Sequence, residues 1–158
     1  MTKDLMVRLE VQCLLDLYID VIDNDRLEEW PALFVEDCLY EIIPRENEDM
    51  GLPAPVMRCD NQRMLRDRVI SLRNANIFSP QTYRHFLSGL VIQSVSDAEI
   101  AFTSNYLVIN SNQAGQSFVY QTGRYLGGLV VTAEGWRFSR LRCIFETSRV
   151  QTLLAIPI

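Results

Sequence analysis

The chain has a single histidine, His85, so its chemistry turns on what stands beside that residue. His85 lies in Tyr83-Arg84-His85-Phe86, a run with strand composition. Alternation places it with Tyr83 and Leu87 on one strand face, opposite Arg84 and Phe86. As a general base it needs an orienting acid and a pocket. The other assignment is a structural histidine bonded to backbone or to a partner chain. One imidazole excludes a metal site built on several histidines. A Rieske centre needs two histidines and two cysteines, and no cysteine here stands in Cys-x-His spacing.

Two further sets deserve the same weighing. Asp37 and Tyr40 fall where a second helix meets the first strand; a carboxylate base and a phenol donor there could enolise a ketone. The plainer reading is a turn aspartate and a packed tyrosine. Arg140, Arg142 and Glu146 alternate on the last strand with Trp136 and Phe138, and Arg124 lies on the strand before. Charges interleaved with aromatics fit an ion-pair network or a protein interface, with an anion site as the sharper option. The sequence assigns no catalytic, cofactor-binding or metal-binding residue. It has no glycine-rich phosphate loop and no Gly-x-Ser-x-Gly elbow.

The elements that position these residues follow from periodicity. Residues 4–22 form a helix whose apolar face is Val7, Val11, Leu14, Leu15, Tyr18, Val21 and Ile22. Asp23-Asn24-Asp25 breaks it. Asp25 is the expected N-cap of a short second helix, with Glu28 in the capping-box position, carrying Trp30, Leu33 and Phe34. A strand is expected over 37–43 and a loop over 44–58. A third helix runs over 60–74, opening at Asp60, with Leu65, Val69 and Leu72 inward. Its Arg63, Arg66, Arg68 and Arg73 form a solvated face or dock an acidic neighbour. Four long strands follow, at 82–96, 99–110, 116–131 and 135–149, separated by short turns that require antiparallel neighbours. Helices grouped ahead of such a sheet make an α+β domain, a cone of curved antiparallel sheet on about three helices. The whole chain, 1–158, is expected to be one domain.

Composition narrows the partners. A net charge of -5 argues against nucleic acid. No apolar run reaches the roughly 18 residues of a membrane span. The opening residues lack a signal-peptide layout, so a cytoplasmic protein with reduced cysteines is expected. The four cysteines, Cys13, Cys38, Cys59 and Cys143, are too dispersed for a CxxC site. The closing run Leu153-Leu154-Ala155-Ile156-Pro157-Ile158 is apolar and must be covered by the chain's own core or by another subunit.

Taken in order, several stretches resemble one family. They are the leading acidic helix, the run from Glu29-Trp30-Pro31 to Leu39-Tyr40, Met64-Leu65-Arg66-Asp67-Arg68 with Asn74-Ala75-Asn76-Ile77, Tyr83-Arg84-His85, and the apolar close. Together they resemble the small (beta) subunit of aromatic ring-hydroxylating dioxygenases, nearest to members acting on carboxylated rings such as anthranilate, terephthalate or salicylate. The resemblance implies a fold like nuclear transport factor 2 and ketosteroid isomerase. It also implies an alpha subunit carrying a Rieske [2Fe-2S] cluster and a mononuclear Fe(II), in an α3β3 assembly with other beta subunits. Electrons would arrive from NAD(P)H through a reductase, sometimes with a ferredoxin, and the beta subunit would be structural. The rivals are a stand-alone isomerase or dehydratase of the same fold, relying on Asp37, Tyr40 and His85, and a binding or self-assembling module.

Overall fold

The computed structural model describes residues 2–75, 81–150 and 154–158. Of the stretches singled out above, Asn76, Ile77 and Leu153 lie outside them.

Helix α1 spans Lys3–Asp23, with the Thr2 hydroxyl capping the Leu5 amide. Its expected apolar face is buried from Val11 to Ile22, with Val7 half-buried. The short helix expected from Asp25 does not form. Asp25 takes a left-handed turn conformation (φ 56°), and only a 3-10 turn, Trp30–Leu33, follows. Pro31 stands near the start of that turn, where its missing amide hydrogen leaves no bond unmade. Strand β1 runs over Phe34–Pro44, longer than expected.

The expected loop over 44–58 contains two elements. A one-turn helix, α2, covers Arg45–Asp49, with Glu46 and Glu48 suited to its first turn. Strand β2, Met57–Cys59, then pairs with β1. Helix α3, Gln62–Asn74, is capped by the Asn61 side chain on the Met64 amide rather than by Asp60. Leu65, Val69 and Leu72 are buried as expected.

The meander is β3 (Gln81–Val95), β4 (Ile100–Asn112), β5 (Ser117–Thr132) and β6 (Gly135–Phe145). These four pair antiparallel in sequence order. The last ends at residue 145 rather than 149. One junction differs from the antiparallel expectation: β1 pairs parallel with β6, giving the order β2-β1-β6-β5-β4-β3. The meander sets β6 in the direction of β4, and β1 lies beside β6 running the same way. The sheet is therefore mixed, and β2 and β3 are its unpaired edges.

The curved sheet closes on an aromatic core. Trp30 stands edge-on to Tyr40 at 5.0 Å, Phe34 packs on Phe138 at 5.2 Å, and Tyr106 stacks on Tyr125 at 4.6 Å. Tyr18 of α1 reaches Phe138 at 5.7 Å and Tyr125 at 6.1 Å, which ties the helix to the sheet. Glycine permits the closest approaches. A Cβ on Gly127 would lie 2.1 Å from the Phe102 ring, and one on Gly123 would lie 2.1 Å from the Ile144 carbonyl. Gly127→Ala is therefore expected to push Phe102 out of the core and to cost about 1–3 kcal/mol, read as a fall in the urea midpoint. An unchanged midpoint would show that the sheet can flex away from the ring.

Candidate functional site

The side chains with chemical capacity separate onto two faces of the sheet. On the concave side, α1 delivers Tyr18 and Asp23, β1 delivers Tyr40, β3 His85, β5 Tyr125 and β6 Cys143. All are buried.

His85 has the orienting acid that a general base requires. Its Nδ1 lies 2.6 Å from Asp23 Oδ1, and its backbone N–H donates to Asp23 Oδ2 at 2.9 Å. One carboxylate thus fixes both the ring and the strand that carries it. Nε2 is buried and has no protein hydrogen-bond partner. A cleft of about 610 Å³ opens nearby, walled by Asp23, Arg73, Tyr83 and Ile156 among others, but His85 is not on its wall. The sequence reading treated Asp23 only as a helix breaker. The available signal was electrostatic: a carboxylate in the last turn of a helix opposes the helix dipole and needs a specific partner.

Tyr40 is buried in the interior, but Asp37 is not beside it. Asp37 is exposed on the convex side, where it lines a depression with Arg58, Glu99 and Arg140. The expected carboxylate–phenol pair is therefore absent, because the two residues point to opposite faces. Tyr40 instead meets the Tyr18 hydroxyl at 3.3 Å and the backbone of Ile158. The Ile158 N–H donates to Tyr40 Oη at 2.9 Å, and the Ile158 carbonyl accepts from Tyr18 Oη at 2.5 Å. Cys143 Sγ lies 3.4 Å from the same carbonyl. Burial pushes the phenols of Tyr18, Tyr40 and Tyr125, and the Cys143 thiol, well above their ordinary values. At neutral pH these groups are uncharged donors and acceptors, and the thiol is not a nucleophile. The apolar closing segment thus covers itself: Ala155, Pro157 and Ile158 are buried against the concave side. Cys38 and Cys59 are also buried, Cys13 is exposed, and all four cysteines are unpaired.

The convex side carries an ion-pair ladder. Arg142 donates to Glu41 at 2.7 Å and to both oxygens of Glu48, while Arg58 bridges Glu41 and Asp60. Glu41 is only 3% exposed, and Arg142 draws the Glu48 carboxyl below its usual range. Arg140 pairs with Glu99, and Arg45 with Glu146. The expected alternation with Trp136 and Phe138 on one face fails. A bulge shifts the register from Leu129–Phe138 to Gly128–Arg140, turning Phe138 inward and the arginines outward. The set is an internal network, and its carboxylates already occupy Arg140 and Arg142.

Of the α3 arginines, Arg63 and Arg66 are exposed, as on a solvated face, while Arg68 and Arg73 are engaged within the chain. Arg73 grips Asp25 and Glu28, holding the Glu28 carboxyl down at about 2, and Arg68 donates to the Leu154 carbonyl at 3.0 Å. The acidic neighbour suggested by the sequence is the chain itself. Among the described residues, no three His, Cys, Asp or Glu side chains cluster as a metal site. No helix is long and apolar enough to cross a membrane.

Comparison with known proteins places this geometry. Residues 3–142 match the SnoaL-like domain. The anthranilate 1,2-dioxygenase small subunit of Burkholderia cepacia is 52% identical over 158 residues, covering 100% of this chain and 98% of the relative. The beta 2 subunit of the terminal oxygenase component of terephthalate 1,2-dioxygenase from a Comamonas species is 32% identical over 141 residues, 89% of this chain and 92% of the relative. A crystal structure from Novosphingobium aromaticivorans, assigned as the beta subunit of an aromatic-ring-hydroxylating dioxygenase, superposes with a TM-score of 0.91. It is 38% identical and covers 99% of this chain and 100% of that one.

The Asp23–His85 contact generates a stability prediction. Asp23→Ala leaves the His85 ring and amide buried without a partner and is expected to cost about 3 kcal/mol, measured by urea unfolding. A cost below about 1 kcal/mol would show that the pair does not anchor β3 to α1.

Proposed function

This chain belongs to the family of small (beta) subunits of aromatic ring-hydroxylating dioxygenases, and from that premise we propose that it is a structural subunit with no catalysis of its own. The observation that carries the proposal is the filled interior. A stand-alone enzyme of this fold needs space on the concave side, and here segment 154–158 occupies it, with its polar backbone bonded to the two tyrosines that would face a substrate.

The partner is an iron-bearing alpha subunit in an α3β3 complex in the cytoplasm. The Rieske cluster and the mononuclear iron belong on that subunit. The donor set here does not fit either group, since a Rieske centre alone takes two histidines and this chain has one. Electrons reach the alpha subunit from NAD(P)H through a reductase, with or without a ferredoxin. The ring it oxidises carries a carboxylate, in line with the two substrates in the relatives' names.

The convex side supports a subunit role. Phe86 is 54% exposed and Val119 50%, and they flank Leu107 and Ile109 on neighbouring strands. An apolar patch of this kind on an edge sheet favours cover by another chain. The second reading, an isomerase or dehydratase, draws on the oriented Asp23–His85 pair. It needs a substrate atom at Nε2, and His85 does not border the cleft.

The test is His85→Ala in the co-expressed complex. Iron per alpha subunit and turnover per iron are expected to stay within about twofold of wild type, a change under 0.5 kcal/mol in the barrier, while the assembly loosens. Loss of turnover in an assembled, iron-replete complex would overturn the structural assignment.

A further inference from the structure

Segment 154–158 enters the core without belonging to any helix or strand. Pro157 helps to explain why, since it has no amide hydrogen to offer a neighbouring strand. The segment is held through its backbone instead. Tyr40 accepts the Ile158 N–H, and Tyr18 donates to the Ile158 carbonyl, with Cys143 Sγ beside it. Arg68 of α3 holds the Leu154 carbonyl from the other side. Two hydroxyls thus hold the main-chain N–H and oxygen of one residue, Tyr40 Oη lying 2.9 Å from the nitrogen and 3.2 Å from the oxygen, and the Ile158 side chain is 0% exposed beside them. The interior also has polar capacity that the segment does not use: the Tyr125 hydroxyl and His85 Nε2 are both buried without a partner. Releasing the segment breaks its own hydrogen bonds and no strand pairing.

We propose that the concave interior is a peptide-binding pocket whose resident ligand is the chain's own segment 154–158, latched by Tyr18 and Tyr40, and that the latch opens while the sheet stays folded. The ligand class is an extended peptide segment with a branched aliphatic side chain at the latched residue. The pocket is a property of this chain and stands whether or not the oxygenase reading holds.

Cys143 reports on the latch, because it is 0% exposed and touches the Ile158 carbonyl. The experiment uses the full chain in its complex with Cys13, Cys38 and Cys59 changed to serine, and follows labelling of Cys143 by a neutral thiol reagent at fixed pH. Labelling is expected at least tenfold faster than global unfolding. Tyr18→Phe with Tyr40→Phe should speed it a further tenfold or more without changing the far-ultraviolet circular dichroism. If that variant does not fold, Ile158→Gly is read in the same way. In the chain truncated before Leu154, added peptide Leu-Ala-Ile-Pro-Ile should slow labelling at least tenfold. Labelling at the global unfolding rate in every variant overturns the proposal. So does a folded truncation that the peptide does not protect. A labelling rate that falls with protein concentration assigns the pocket to a second copy's segment and overturns occupancy by the chain's own.

Discussion

The main-chain N–H and oxygen of Ile158, held inside the curved sheet, mark the point on which the aromatic core converges. Tyr18 comes from the leading helix, Tyr40 from the first strand and Cys143 from the last, and all three meet at Ile158. Elements far apart in sequence are thereby drawn to one point. The aromatic rings of the same residues make the core edge contacts around it. Burial keeps the phenols protonated, and protonated phenols are what an amide requires. The hydroxyls of Tyr18 and Tyr40 and the thiol of Cys143 are engaged with the closing segment.

The charged residues are sorted with the same consistency. On the concave side the Asp23 carboxylate meets the His85 ring and backbone N–H, with Arg84 at 4.0 Å. The other described ion pairs lie on the convex side or at the helix junctions, where Glu41 is covered by Arg58 and Arg142. A buried carboxylate between two guanidiniums is costly to disrupt and adds little net stability, but it fixes register across β2, β1 and β6. The Arg73 pairs do the same for α3 against the turn at Asp25.

Much of this was legible in the sequence, for identifiable reasons. Helical periodicity in α1 and α3 reports burial directly, so both core faces were read residue by residue. Short turns force antiparallel neighbours, so the meander followed. The parallel β1–β6 junction was not legible, because its strands are joined through everything between them. The bulge near Arg140 escaped for a different reason: one extra residue flips a strand's faces without altering its composition. Asp37 and Tyr40 were candidates by proximity, and alternation along β1 separates them. Asp23 escaped because a carboxylate closing a helix calls for a partner without indicating which residue, here 62 positions on, supplies it. The resemblance of the whole chain supplied the family where single motifs were too weak.

The central claim is that this chain works only as part of a larger oxygenase. The most direct measurement is the native mass of the tagged chain purified from its own host, with bound chains identified. The account predicts a complex several times the 18.2 kDa of this chain, containing a larger subunit that carries iron. Recovery of the bare chain, as a monomer or a simple oligomer of itself, from cells that express the pathway would contradict it. The oriented Asp23–His85 pair would then become the place to look for chemistry.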